Sequence, residues 1–190
     1  MMTTRTYFLD GRIIAESGDI QVYELDGVLY LNQGPGFSLW IDSNEIKELE
    51  EQLGNLPRGD CLELGLGLGV ASQYILNRTN VNTLTTVEVS KDVIKVYEQL
   101  NEVPDNHTLI YFDGYEYLIH TEDTFDFIFI DFYSLIDEDT LPEIAACVAA
   151  AKSILRPEGE IVGWFDPYTP EEFVKPFLGL FQKIDYGMEK

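Results

Sequence analysis

The chain has 190 residues, 45% of them hydrophobic, which is enough for one packed core with a small appendage. Twelve basic residues against 34 acidic ones give a formal net charge of −22, which argues against a surface that binds nucleic acid. There is no apolar run near the roughly 18 residues of a membrane span, no signal-peptide core and no zinc-like Cys/His spacing, so we expect a cytoplasmic protein without a membrane segment or a metal.

Residues 1–55 predict a small antiparallel unit that ends in a helix. Short runs at 7–9, 12–15, 21–25 and 28–31 indicate strands, and Asp10-Gly11 and Asp26-Gly27 are two-residue turn signals between them. Residues 43–53 have a helical pattern. The unit could act as a lid, as a dimer contact or as a cap on the neighbouring sheet, so a homodimer stays open.

A glycine loop follows the next apolar strand. Glu63 stands near the end of that strand, and Gly65, Gly67 and Gly69 follow with G-x-G-x-G spacing ahead of a helix-like run at 70–76. Glycines allow a sharp turn and let a ligand lie against the backbone. Dinucleotide-binding folds prefer G-x-G-x-x-G, so the spacing favours a different nucleotide-like cofactor. A tight turn without a ligand is the alternative.

Three further predicted strands also end in an acid. The strand at 83–89 carries Glu88 followed by Val89, the strand at 108–112 leads into Asp113-Gly114, and the strand at 125–130 leads into Asp131. A carboxylate at the tip of the second strand can accept hydrogen bonds from both hydroxyls of a ribose. Each acid alone would be an ordinary strand end or helix cap, but four such acids together predict a cofactor site.

The remaining elements complete an alternating pattern. Helices are predicted at 91–101, 141–155 and 170–184, with a turn at 156–160 and a fifth strand at 161–165. Strands that alternate with helices predict an α/β fold with a doubly wound, mostly parallel sheet. We place this domain at 56–190 and the antiparallel unit at 1–55.

With Glu63 ahead of its glycines, the loop resembles the first motif of class I S-adenosylmethionine (AdoMet)-dependent transferases. The runs Asp113-Gly114-Tyr115-Glu116-Tyr117-Leu118 and Phe125-Asp126-Phe127-Ile128-Phe129-Ile130-Asp131 are similar to the D-G-x-x-[FY]-L and [YF]-D-x-I-x-x-D segments of the spermidine synthase (polyamine aminopropyltransferase) group. The resemblance implies a Rossmann-like fold with AdoMet or decarboxylated AdoMet as cofactor. It implies that Glu88 binds the ribose, that Asp113 lies at the adenine end, and that Asp131 lies near the aminoalkyl end and the acceptor. The predicted cofactor-binding residues are Glu63, Gly65, Gly67, Gly69, Glu88, Val89, Asp113, Gly114 and Asp131.

The segment after the fourth strand decides between two kinds of transfer. The aminopropyltransferase loop reads D-[ST]-[ST]-D-P, whereas here Asp131 is followed by Phe132, Tyr133 and Ser134, so serine replaces the second aspartate. We therefore favour a methyltransferase over an aminopropyltransferase, with a catalytically inactive binding or interaction module as a third hypothesis. Asp131 is the candidate for orienting an amine, and Tyr133 is either an aromatic wall for a cationic centre or, like Phe132, a loop residue that packs on the last predicted helix.

The charge pattern bears on the acceptor. No Lys or Arg occurs between Lys95 and Lys152, and this acidic stretch supplies the tips of the third and fourth strands. Such a mouth suits a cationic acceptor such as a polyamine or a basic peptide, so we expect a small or cationic acceptor. Ordinary solubilising charge is the alternative explanation.

Overall fold

The antiparallel unit predicted at the amino terminus is present. The structure, a computed structural model, describes residues 11–34, 40–133 and 140–163, with the backbone alone at 40–45. Strands β1 (Arg12–Ser17), β2 (Ile20–Leu25), β3 (Val28–Gln33) and β4 (Trp40–Ile41) form an antiparallel sheet in that order. Asp26 and Gly27 have φ angles of 53° and 81°, as a two-residue hairpin turn requires. The predicted strand at 7–9, the predicted helix at 170–184 and Ser134 lie outside the described residues.

The second part of the chain forms the predicted doubly wound parallel sheet. Its elements are α1 (Asp42–Gln52), β5 (Gly59–Leu64), α2 (Val70–Leu76), β6 (Val81–Glu88), α3 (Lys91–Leu100), β7 (His107–Tyr111), α4 (Gly114–His120), β8 (Phe125–Ile130), α5 (Leu141–Ser153) and β9 (Leu155–Gly163). The five strands are parallel in the order β7-β6-β5-β8-β9. The winding direction reverses between β5 and β8, and ligands of such sheets bind at the carboxyl edge beside this switch point.

Alternating side chains on the strands pack against two different helical layers. Leu62, Leu64 and the neighbouring β8 residues face α4 and α5, whereas Cys61 and Phe127 face α1 and α2. This two-sided burial explains why β8 is apolar at five of its six positions. Because α1 packs into the core of the parallel sheet, the boundary near residue 55 stays a prediction.

The antiparallel sheet packs on α3 and on the glycine loop. Loop residues Leu66 and Leu68 are buried in the same cluster as Val22 and Leu31 of the antiparallel sheet. Ser17 donates a hydrogen bond of 2.6 Å to Asp92 at the start of α3. The antiparallel sheet therefore covers the outer side of the loop, while its roles as a lid or a dimer contact stay predictions.

Two local features differ from the sequence-based expectation. The prediction that a turn at 156–160 separates the last helix from the fifth strand is wrong, because β9 already begins at Leu155. Residues 156–159 form a bulge between Leu155 and Glu160, which both pair with β8. Arg156 holds the bulge through ion pairs of 2.8 Å to Asp60 and 2.7 Å to Asp126. Helix α4 was not predicted. Among the described residues, no helix is long and apolar enough to cross a membrane.

Candidate functional site

A cavity of about 240 Å³ lies at the carboxyl edge of the parallel sheet. Its wall combines residues at or just after the ends of four strands, β5 to β8, with the starts of α4 and α5. The lining residues are Gly65, Val87, Glu88, Val89, Asp113, Gly114, Tyr115, Phe132, Tyr133 and Glu143. Six of the predicted site residues are among them. The structure therefore brings together segments that are almost 80 residues apart in the sequence, at the edge where the sequence predicted a site.

Glu88 is held in one orientation by the backbone. Its Oε2 accepts a hydrogen bond of 2.9 Å from the Leu66 N–H, and its Oε1 accepts one of 2.7 Å from the Ser90 N–H. The residue is 9% exposed, so its carboxylate is almost enclosed at the cavity wall. Each carboxylate oxygen can accept a further hydrogen bond. Glu88 thus presents two oriented acceptors without having to reorganise on binding.

The three loop glycines meet different requirements. Gly65 has φ of 98°, and a Cβ there would lie 2.8 Å from the carbonyl carbon of Asp131 and nearer still to its oxygen. Gly69, at φ 75°, precedes α2, and a Cβ there would overlap the ring of Tyr97. Gly67 has φ of 51° with no atom within 4 Å of a built Cβ. Of the three, Gly65 lines the cavity; contact of Gly67 or Gly69 with a cofactor stays a prediction.

Asp113 and Gly114 line the cavity at the start of α4. The Asp113 Oδ1 accepts a hydrogen bond of 2.9 Å from the Glu116 N–H and so caps α4. A Cβ on Gly114 would lie 3.1 Å from the ring of Phe132, so this position has little room for a side chain. The cap leaves Asp113 Oδ2 available beside the cavity.

Asp131 and Tyr133 take different positions. The Asp131 N–H donates to the Leu64 carbonyl at 2.8 Å, its side chain is half-buried, and the residue does not line the cavity described above. Tyr133 does line it and also packs on the core of α5. Burial raises the pKa of the Tyr133 hydroxyl, so the phenol stays protonated and cannot act as a general base. Tyr133 therefore lies at the cavity wall, while its predicted packing on the helix at 170–184 concerns residues outside the described ranges, and its contact with a cationic centre stays a prediction.

Four lining residues were not among the predicted site residues: Val87, Tyr115, Phe132 and Glu143. Tyr115 belongs to the Asp113-Gly114 segment and could have been inferred from it. Glu143 lies in the first turn of α5, and nothing local in the sequence shows that this turn reaches the cavity. The charged residues of the lining, Glu88, Asp113 and Glu143, are all acidic. In the described ranges, no three His, Cys, Asp or Glu residues are grouped to hold a metal ion.

Glu63 lies below the site instead of in the cavity wall. It is fully buried, and its Oε2 accepts hydrogen bonds of 2.5 Å from the Ser72 hydroxyl and 2.6 Å from the Thr86 hydroxyl. The Thr86 Oγ1 also lies 2.8 Å from Nε2 of His107. Glu63 is therefore part of a polar chain between α2 and the sheet, and its predicted contact with a cofactor stays a prediction.

Acidification is expected to destabilise the protein through His107. Burial lowers the pKa of His107 to about 4, against 6.5 for a solvated imidazole. Below pH 6.5 the imidazole of His107 is protonated in the unfolded chain but stays neutral in the folded chain. The contribution of His107 to the free energy of unfolding is therefore fully present above pH 6.5 and is lost as the pH falls to about 4. The difference is on the order of 3 kcal/mol.

The measurement is the free energy of unfolding in urea at pH 7, 5.5 and 4 for the wild type and for His107→Phe. Phenylalanine keeps an aromatic ring beside Tyr97, whose ring centroid lies 5.9 Å from that of His107. We expect a smaller loss of stability with acid in the variant. Parallel pH curves for the two proteins would show that His107 is not the group responsible.

Comparisons with known proteins identify the fold. No protein-family model and no curated protein sequence matches the chain. Among solved structures, it resembles spermidine synthase from Thermotoga maritima, with a TM-score of 0.67 and 18% identity over 91% of this chain and 63% of that one. A spermidine synthase in complex with the transition-state analogue AdoDATO gives a TM-score of 0.62 at 18% identity, again over 91% of this chain and 63% of that chain.

A third structure belongs to a different class of enzyme. The N-methyltransferase NodS from Bradyrhizobium japonicum WM9 matches with a TM-score of 0.53 and 16% identity, over 76% of this chain and 80% of that one. This chain spans 63% of the length of the two spermidine synthase chains. At these identities the likeness establishes the fold, and the chain has the doubly wound, Rossmann-like fold that spermidine synthase and the NodS methyltransferase share.

Proposed function

We propose that the protein is an AdoMet-dependent transferase that transfers a methyl group to a small cationic acceptor. The observation that carries this proposal is the Glu88 carboxylate, which two backbone N–H groups orient at the wall of the cavity. A carboxylate at the end of the second strand is suited to bind the adjacent hydroxyls of a ribose. The similar structures support the cofactor, since one is a complex with the transition-state analogue AdoDATO and another is an N-methyltransferase.

The residues around the cavity fit the adenosine part of such a cofactor. Glu88 would hold the ribose hydroxyls, and the Asp113 Oδ2, which the helix cap leaves available, would accept a hydrogen bond from the adenine end. Val89 is 65% exposed at the rim and offers an apolar surface for a flat ring. When bound, AdoMet supplies a sulfonium carbon that an acceptor can attack by in-line displacement.

The chain then has to position the acceptor and to exclude water. A general base is needed only for an acceptor that arrives protonated, and protonated Tyr133 cannot serve. Asp131, at the end of β8 next to Gly65, is the candidate for orienting an amine. Catalysis would therefore depend on placement of the two reactants more than on proton transfer.

The cavity lining favours a cationic acceptor. Its charged residues are all acidic, and with Glu88 and Asp113 assigned to the adenosine, Glu143 remains for the acceptor, together with the rings of Tyr115 and Tyr133 in the same lining. Carboxylates attract a cation over several ångströms, and aromatic faces stabilise it on contact. A small amine or a basic peptide side chain would meet both features.

Aminopropyl transfer from decarboxylated AdoMet is the second candidate. It is favoured by the extent of the spermidine synthase match, which covers 91% of the chain. Ser134, in place of the second aspartate of the aminopropyltransferase loop, favours methyl transfer instead. A catalytically inactive module is the third candidate, and it predicts no acceptor turnover.

Calorimetric titration with AdoMet, decarboxylated AdoMet and methylthioadenosine tests the proposal. We expect saturable AdoMet binding, with weaker binding of the decarboxylated form because the carboxylate of AdoMet is missing. Tighter binding of the decarboxylated form would select aminopropyl transfer. If none of the three ligands binds, the proposed cofactor site is contradicted, and the catalytically inactive module becomes the favoured candidate.

A further inference from the structure

A buried polar chain crosses the face of the parallel sheet beneath α2 and α3. It runs from His107 on β7 to Thr86 on β6, then to Glu63 on β5, and ends at Ser72 on α2. These four residues are between 0% and 6% exposed. Burying polar groups is unfavourable unless their hydrogen bonds are made, and a satisfied chain then fixes the geometry of the elements it joins.

The direction of the hydrogen bonds follows from the number of protons. The hydroxyl of Thr86 has one proton, which it donates to Glu63 Oε2 at 2.6 Å. Thr86 Oγ1 must therefore accept from Nε2 of His107 at 2.8 Å. Nδ1 of His107 has no hydrogen-bond partner among the described residues, so a proton there would be buried and unpaired. Both observations place the proton of a neutral His107 on Nε2.

The chain joins the segments that build the site. Glu63 stands two residues before Gly65, Ser72 stands three residues after Gly69, and Thr86 stands two residues before Glu88. Both ends of the glycine loop are thereby tied to the strand that carries Glu88. The hydrogen bond of 2.9 Å from the Leu66 N–H to the Glu88 carboxylate forms only while the glycine loop stays in this position relative to β6.

We propose that Glu63, Ser72, Thr86 and His107 are positioning residues that hold the glycine loop over Glu88 for the cofactor, an inference that rests on the proposed function. In this assignment Glu63 acts through Ser72 and Thr86, without touching the cofactor. The loop is then supported from below by the polar chain and from above by the packing of Leu66 and Leu68 on the antiparallel sheet.

The first test uses ligand-free protein and nuclear magnetic resonance. In the wild type, the imidazole nitrogens of His107 are expected to show a neutral ring with its proton on Nε2. Thr86→Val should remove the hydrogen bond from His107 Nε2 to residue 86 and shift the backbone amide signals of Gly65 and Gly67. Thr86→Ser should keep the hydrogen bond and leave the two glycine signals in place. Thr85→Val is the matched control, because adjacent side chains on a strand point to opposite faces. A proton on Nδ1, or unchanged glycine signals in Thr86→Val, would overturn the proposal.

The second test measures AdoMet affinity of the same variants by calorimetry. Thr86→Val is expected to raise the dissociation constant about tenfold, equivalent to the loss of one hydrogen bond that orients the site. Thr86→Ser and Thr85→Val should bind like the wild type. Where Thr86→Val does not fold, Ser72→Ala replaces it, since it removes one donor to Glu63 and leaves the sheet intact.

Together, the resonance test and the calorimetric test distinguish an error in this proposal from an error in the proposed function. Wild-type protein that binds none of the ligands contradicts the proposed function, and the resonance measurements on free protein then still decide the positioning of the loop. Wild-type protein that binds AdoMet, with Thr86→Val equal to it in affinity and in the glycine signals, contradicts the positioning chain alone.

Discussion

Replacing Gly65 with alanine is expected to destabilise the fold by about 4 kcal/mol, the range of the most damaging single substitutions. Gly65 has φ of 98°, where a residue with a Cβ is strained, and its Cβ would lie 2.8 Å from the carbonyl carbon of Asp131. The atoms it would meet belong to the backbone at the end of β8 and cannot rotate away. Relief would require β5 and β8 to separate at the switch point, where Asp131 N–H donates to Leu64.

Gly67→Ala is the matched control for this prediction. Gly67 also has a positive φ, 51°, but no atom lies within 4 Å of a built Cβ. We therefore expect it to lose about 1–2 kcal/mol from backbone strain alone. Urea unfolding of the wild type and both variants gives the comparison. Equal losses at the two positions would show that the overlap with Asp131 is relieved without cost.

Replacing Glu88 with alanine is expected to weaken AdoMet binding at least about 100-fold. Two charge-assisted hydrogen bonds to the ribose would be lost, which together are worth about 3 kcal/mol. The variant also leaves the Leu66 and Ser90 N–H groups without the carboxylate that now accepts from them. Calorimetric titration well below the unfolding temperature of the variant measures the affinity of folded protein.

Glu98→Ala is the control for the change in charge. Glu98 is exposed on α3, so this variant removes one acidic group without altering the cavity. We expect it to bind AdoMet as the wild type does. If Glu88→Ala kept the wild-type affinity, the carboxylate would not accept hydrogen bonds from the ribose. The oriented Glu88 carboxylate would then no longer support the proposed function.

The parallel sheet was largely predictable because its signals are local. β8 is an apolar run and β6 is rich in β-branched residues, and both differ from their predicted bounds by at most two residues. The beginning of β9 was not predictable in this way, because Arg156 is anchored by Asp60 and Asp126 from two other strands. Helix α4 was overlooked although Asp113 and Glu116, three residues apart, are a readable start signal.

The location of the site was predictable, but the roles of its acids were not. Glu63 and Glu88 both stand at the ends of apolar strands and look equivalent in the sequence. In the sheet, Glu63 pairs with Thr86, so Glu88 lies two residues nearer the carboxyl edge. Glu88 therefore reaches the cavity, whereas Glu63 stays beneath the loop with Ser72.

The class of fold, the glycine loop and the edge of the sheet at which acids gather follow from the sequence, because strand periodicity, glycine spacing and strand ends are properties of short segments. The sequence does not show which acids face the cavity, that Glu143 joins them, or that His107 ends a buried chain below the loop. Those features depend on strand register and helix packing, which arise from contacts between segments far apart in the chain.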